Sequence, residues 1–168
     1  FVTDFLPSVP LSPYYSLRLV STFTDQLGER HYRLSQLYKN IRVLGGEYIV
    51  HESNGKVRSA NGTLVSGLSL DAQPTLDERT ALDRALAHIG AKTYMWQDPF
   101  WVADLRQRTG NPAATYYPKG ELCWSPFVFG GVETPSRFAL AYQFDIEAAS
   151  PHSFQRVIVD ARTGAIVS

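Results

Sequence analysis

His51 and Glu52 stand side by side, as do the first two residues of the H-E-x-x-H helix that holds zinc in many proteases. That chemistry needs a second histidine four residues after the first, so that both imidazoles leave one helical face while the glutamate serves as general base. Gly55 occupies the place of the second histidine, and the residues around it alternate as a strand does. A metallopeptidase built on His51-Glu52 therefore ranks last among three readings of the chain. The four histidines, His31, His51, His88 and His152, fall on separate expected elements, and no pair has ligand spacing along the sequence. No cofactor is expected in this chain. Cys123 is the single cysteine and cannot close an internal disulfide. It sits in the strand-like run Glu121-Leu122-Cys123-Trp124, without a neighbouring cation or helix N-terminus to hold a thiolate, so it reads as a small apolar filler rather than a nucleophile. There is no G-x-S-x-G elbow, phosphate loop or dinucleotide fingerprint.

The elements that would carry these residues begin after three prolines, Pro7, Pro10 and Pro13, which imply an extended lead-in. Tyr15, Leu17 and Leu19 alternate with polar residues as in a half-buried strand, and Asp25-Gln26-Leu27-Gly28 supplies a turn. A second strand is expected over 31–38, a third over 47–52 after Gly45-Gly46, and a return strand over 56–60. Asn54-Gly55 is the hairpin turn between the last two, and Asn61-Gly62 is expected to end the return strand. Asn61-Gly62-Thr63 also matches a glycosylation sequon, for which the turn is the preferred reading. The clearest helix is 75–89, with Thr75 and Glu78 as capping box, Leu82, Ala85, Leu86 and Ile89 as the apolar stripe and Gly90 as the stop. His88 in its last turn suits the helix dipole. A second helix is expected over 99–108, with Asp98 as N-cap and Trp101, Val102 and Leu105 facing inward. Strands follow over 114–117, 121–129, 137–146 and 154–159, with a return over 165–167. In the third of these Phe138, Leu140, Tyr142, Phe144 and Ile146 share one face. Strands beside one strongly amphipathic helix make an α+β fold.

The chain has 168 residues, 44% of them apolar, and Lys plus Arg balance Asp plus Glu at 16 each. That is enough apolar content for a core, and the balance offers no net field to attract nucleic acid or an anionic membrane surface. Nine Tyr, nine Phe and three Trp favour strands and interface anchors, and so a protein partner. No apolar run approaches the ~20 residues that cross a bilayer. The start, Phe1-Val2-Thr3-Asp4, has no signal-peptide character, so an exported protein would already have lost its signal peptide.

Two stretches carry a resemblance. In the first, His31-Tyr32-Arg33-Leu34-Ser35-Gln36-Leu37-Tyr38 is followed by Ile41-Arg42-Val43 and by Gly45-Gly46-Glu47-Tyr48-Ile49-Val50-His51. It resembles the fungalysin/thermolysin propeptide motif, H-x-R-x-x-Q-x-Y followed by a glycine turn and a strand ending in His. Asn40 stands where that family usually has Gly, and Arg42 where it often has Pro; asparagine tolerates the left-handed backbone that Gly would supply. In the second, Leu140-Ala141-Tyr142 and Val159-Asp160-Ala161-Arg162-Thr163-Gly164-Ala165-Ile166 look like the end of a PepSY domain, V-D-A-x-T-G-x-I.

The resemblance implies two small subdomains, an N-terminal antiparallel meander in 1–70 and a cystatin-like PepSY domain in 71–168 with its helix packed on an antiparallel sheet. It further implies a non-catalytic prosegment of a secreted thermolysin-like zinc metalloprotease, acting as intramolecular chaperone and inhibitor until cleaved off. The partner would be the cognate catalytic domain, and zinc and calcium would belong there alone. The alternative is a stand-alone PepSY-type inhibitor or binding module. The family-motif residues His31, Arg33, Gln36, Tyr38, Val43, Gly46, Glu47, His51, Asp160, Thr163 and Gly164 are expected to be structural, with Arg33 and Gln36 fixing the Gly45-Gly46 turn. Ala165, Ile166, Val167 and Ser168, with exposed aromatics of the second subdomain, are expected to face the protease.

Overall fold

Lys39 and Asn40 both adopt left-handed backbone, with φ of 50° and 63°, and this pair reverses the chain where a glycine was the familiar choice. Two such residues in succession give a turn whose twist matches the strands it joins. The computed structural model describes residues 13–129 and 132–167, and side chains outside 127–137. The Pro7 and Pro10 lead-in, the Gly130-Gly131 connection and Ser168 lie outside the described residues.

Four strands, β1 (Tyr15–Thr24), β2 (Arg30–Tyr38), β3 (Ile41–Ser53) and β4 (Lys56–Thr63), follow one another antiparallel. Asn54 and Gly55, at φ 54° and 75°, close the β3–β4 hairpin as expected. Two expectations about glycines are corrected. Gly45-Gly46 is not the boundary of a strand but a bulge within β3: Ser35 pairs with Glu47 and Leu37 with Arg42, so residues 43–46 all lie opposite Gln36 alone. Gly45, at φ 79°, gives the bend its backbone. Asn61-Gly62 does not end β4 either. Gly62 pairs with Tyr48, and a side chain there would collide with the Glu47 carbonyl oxygen and the Tyr48 Cα, so glycine here allows close approach of two strands.

Helix α1 (Glu78–Ile89) is capped by Asp77, whose carboxylate accepts the Thr80 N–H at 2.7 Å. The expected cap, Thr75, lies outside the helix, its N–H bonded to the Ala161 carbonyl at 3.0 Å in place of a capping-box partner. Its expected capping-box partner, Glu78, instead accepts the Gly120 N–H at 2.7 Å. Gly90 stops the helix with φ 63°. After it come β5 (Thr93–Tyr94) and a single 3-10 turn, Met95–Gln97, neither of which the sequence pattern announced. Helix α2 (Pro99–Thr109) has Asp98 as N-cap, and its expected inward residues Trp101, Val102 and Leu105 are half-buried. Residues 114–117, expected as a strand, have no regular structure; the Tyr117 N–H is taken by Thr115 Oγ1 at 3.0 Å instead of a neighbouring strand.

The last strands are β6 (Glu121–Phe129), β7 (Val132–Ser150) and β8 (His152–Asp160). β7 outruns its expected bounds because β8 pairs with it as far as Ala149 and β5 meets it at Ser150. Among the described residues the eight strands form one sheet in the order β1-β2-β3-β6-β7-β5, with β4 also beside β3 and β8 beside β7. The fold is α+β. The meander joins the rest through two parallel pairs, Arg42 with Cys123 and Val43 with Trp124. β3 thus meets β6 where its bulge begins and β4 after it.

Leu140, Tyr142, Phe144 and Ile146 face α1 as expected, packed with Ala81, Leu82, Ala85, Val157 and Val159 in the main core. Burying each large side chain there stabilises the fold by roughly 1.5–3 kcal/mol relative to exposure. A smaller cluster, Leu17, Tyr32, Leu34 and Val50, lies within the meander. The connection over residues 64–77 has neither helix nor strand. Side chains of the meander strap it down: Tyr15 Oη accepts the Leu68 N–H at 2.7 Å, and Lys39 Nζ donates to the Leu70 carbonyl at 2.8 Å.

Candidate functional site

Gln36 sits opposite the β3 bulge and is fully buried. Its amide imitates a strand neighbour: Nε2 donates to the Val65 carbonyl at 2.6 Å, and Oε1 accepts the Val65 N–H at 2.8 Å. Gly46 makes room for it, since a Cβ there would lie 2.7 Å from Gln36 Oε1 and 2.8 Å from its Cβ. The Tyr38 ring, also buried, meets Trp124 edge-on at 5.5 Å and Tyr15 at 4.9 Å, while the Trp124 indole N–H donates to the Tyr38 carbonyl at 2.9 Å. Val43 pairs with Trp124 and is 1% exposed. Gln36, Tyr38, Val43 and Gly46 are therefore gathered at the junction of the meander, the connection and β6.

Two motif residues stand apart. Arg33 is exposed on β2, and among the described residues no side-chain hydrogen bond or ion pair involves it. Glu47 is exposed on β3 and lines an open groove of about 620 Å³ with Arg18, Arg42, Tyr117, Asp145 and Arg156. The groove is polar: Arg156 holds Asp145 through two bonds of 2.7 and 2.9 Å, and the bonded Arg156 guanidinium keeps that carboxyl below its ordinary pKa.

Register, rather than spacing along the chain, brings His31 and His51 together. They are direct cross-strand partners, with their Nδ1 atoms 2.7 Å apart. His31 Nε2 lies 3.1 Å from Asp25 Oδ2, and His51 Nε2 lies 2.7 Å from Asn61 Oδ1. The His31 hydrogen bond lowers the Asp25 pKa. Glu52 points to the other face, where it accepts the Gly55 N–H at 2.6 Å and the Tyr32 hydroxyl at 3.2 Å. Fixing the hairpin turn, it has no geometry for base catalysis beside His51. Among the described residues no three His, Cys, Asp or Glu side chains converge as a metal-binding group.

The second motif is a turn with a defined mechanism. Asp160 Oδ1 accepts the N–H groups of Arg162 at 2.9 Å and Thr163 at 2.7 Å, Thr163 Oγ1 accepts that of Ala165 at 3.3 Å, and Gly164 takes φ 75°. The chain returns along β8 with a bridge from Ile166 to Val159. Ala165 is exposed, while Ile166 packs on the main core and Val167 on the small cluster of Cys123, Ala141 and Ile158. The turn also holds α1, since the Ala161 carbonyl accepts the N–H groups of Thr75 and Leu76.

Aromatic side chains collect near α2, where Trp96 stacks on Tyr94 at 4.6 Å and meets Tyr117 at 5.6 Å. Phe100 and Tyr117 remain 68% and 46% exposed. Cys123 is fully buried, and desolvation pushes its thiol up to about 11. Since the thiolate is the reactive form, native protein at pH 8 is expected to resist a disulfide reagent over minutes, whereas the unfolded chain reacts at once. Equal rates would contradict the burial.

Residues 15–64 match the family described as the Fungalysin/Thermolysin Propeptide Motif. The chain is 27% identical over 158 residues to a thermolysin of Alicyclobacillus acidocaldarius subsp. acidocaldarius, covering 90% of this chain and 25% of that protein. It is 29% identical over 160 residues to a bacillolysin of Bacillus subtilis (strain 168), covering 92% of this chain and 27% of that one. The chain thus spans about a quarter of the length of these relatives. Among solved structures, the Bacillus megaterium YpeB C-terminal domain aligns with 99% of this chain and 60% of its own at 12% identity and a TM-score of 0.47. The chain resembles the propeptide of a thermolysin-like metalloprotease precursor.

Proposed function

We propose that this chain is the prosegment of a secreted thermolysin-like zinc metalloprotease, a non-catalytic partner that assists the folding of its catalytic domain and inhibits it until removed. The observation that carries this is the propeptide motif over 15–64, within a likeness to thermolysin and bacillolysin that extends over nine-tenths of the chain. A prosegment accelerates folding by binding the folding transition state better than the unfolded chain; each ~1.4 kcal/mol of that preference gives a tenfold rate. Zinc and calcium belong, in this reading, to the catalytic domain.

The junction residues Gln36, Tyr38, Val43 and Gly46 shape the prosegment, and so does the Asp160-Thr163-Gly164 turn. Partner contacts fall to side chains that the fold leaves exposed: Arg33, Phe100, Tyr117 and Ala165. Ile166 and Val167 are engaged with the chain's own clusters and anchor that end. The chain added in trans to a refolding thermolysin-like protease should raise the folding yield and lower residual activity; no effect on either would overturn the reading. Arg33→Ala is expected to leave the melting temperature unchanged while weakening inhibition about tenfold, the loss of ~1.4 kcal/mol at an interface. Thermal unfolding and an inhibition titration on the same samples check both halves.

A further inference from the structure

Two nitrogens that each present a lone pair do not rest at hydrogen-bond distance without a proton between them. His31 and His51 are held at that distance by their outer nitrogens. Asp25 Oδ2 and Asn61 Oδ1 are both acceptors, so the Nε2 atoms facing them at 3.1 and 2.7 Å carry hydrogen. The Nδ1 atoms are then the lone-pair nitrogens, and they face each other at 2.7 Å. One shared proton converts this contact into a charge-assisted bond, and the Asp25 carboxylate, ion-paired with His31, balances its charge. The separation is too short for a metal ion, because two zinc–nitrogen bonds of about 2.0 Å in tetrahedral geometry hold their nitrogens more than ~3 Å apart.

We infer that the His31–His51 pair is a proton-counting latch on the meander, closed across β2 and β3 by one shared proton and opened by a second. The second proton removes the remaining acceptor and leaves two cationic rings in contact. Little around the pair relieves this. Phe23 of β1 stacks on His31 at 4.5 Å, and His31 is 9% exposed. Of the charged groups on this face, Asp25 in the β1–β2 turn is already committed, its other oxygen accepting the N–H groups of Leu27 and Glu29. By strand alternation Arg33 lies one step along the same face of β2, and Lys56 at the head of β4 pairs with Ser53, two residues beyond His51. Both are positive. Glu52 is turned to the opposite face.

The sign follows from counting protons. The folded pair holds one, whereas two imidazoles in the unfolded chain each take one as the pH falls through the range in which histidines generally charge. Above about pH 6.5 the two unfolded rings hold fewer than one proton between them, so the folded pair binds more and stability falls as the pH rises; below it the unfolded state binds more, and stability falls as the pH falls. Asp25 and Asp145 act in another window. Hydrogen bonds from His31 and Arg156 respectively lower their pKa values, so the stability they lend is present above the ordinary carboxylate value and is lost only as the pH falls through the lower folded value, below about pH 4.

Thermal unfolding of the chain between about pH 6.5 and 5 tests the latch. The wild type is expected to lose about 3 °C more across this range than His51→Gln, whose amide stays neutral; parallel curves would overturn the proposal. If that variant does not fold, the wild type alone decides through its imidazole NMR signals and amide exchange. The latch requires coupled titration of His31 and His51, with exchange protection in β2 and β3 lost before that in α1 and β7. Independent titration of the two rings, or imidazole shifts on adding zinc at neutral pH, would overturn it. Neither measurement involves a protease, so its outcome is independent of the function proposed above.

Discussion

Trp124→Ala is expected to destabilise the chain by about 4 kcal/mol, within the range for truncating a fully buried large aromatic. The indole is 1% exposed, and three interactions converge on it: the parallel pair with Val43, the edge contact with Tyr38 and the hydrogen bond to the Tyr38 carbonyl. Truncation opens a cavity between the meander and β6 and leaves that carbonyl without its donor, a penalty of about 1 kcal/mol or more by itself. Trp124→Phe keeps most of the ring and loses the donor, so about half of the effect should remain. Urea unfolding followed by far-UV circular dichroism measures both. A loss below about 1 kcal/mol for alanine would mean that the two halves of the sheet are joined elsewhere.

Gln36→Ala is expected to cost about 3 kcal/mol, through two backbone groups of Val65 left without partners and through the volume removed from the bulge. The damage should be local first. Residues 64–70, which have no strand pairing of their own, should become the earliest site of limited proteolysis. A double-mutant cycle sharpens the argument. Gly46→Ala alone forces its new Cβ to 2.7 Å from Gln36 Oε1 and 2.8 Å from its Cβ; with Gln36 shortened to alanine the first conflict is removed and the second stays, so the two costs should fall partly short of additive. Simple additivity would mean that Gly46 is there for its backbone alone.

Asn54-Gly55 announces its turn because few residues accept the backbone that a two-residue hairpin demands, and the helix stops at Gly90 and Gly110 are legible for the same reason. The face shared by Leu140, Tyr142, Phe144 and Ile146 is legible because alternation is a local property. Errors arise where a choice is settled by a distant partner. Thr75 and Asp77 are both good caps, and only the Ala161 carbonyl, which engages the Thr75 N–H, decides for Asp77. Nothing near Gly45-Gly46 says whether the chain reverses or bulges there; Gln36 and β6 decide. The segment 93–97 is too short for any period to register. Gln36, Tyr38 and Gly46 could be named from the motif, but their common meeting point with Val65 and Trp124 could not. Nor could the contact between His31 and His51, since spacing rules count along one element and this pair is set by register between two.

The two parallel pairs between β3 and β6 also order events in time. The hairpins of the meander and those of β6, β7 and β8 join neighbours in sequence and close quickly, whereas bringing Val43 to Trp124 closes a loop through the connection and both helices. That closure is the expected slow step of assembly, and mutations at Val43 or Trp124 should retard refolding more than mutations inside either hairpin set. Completion of the sheet thus waits on a long-range encounter made through only two residue pairs.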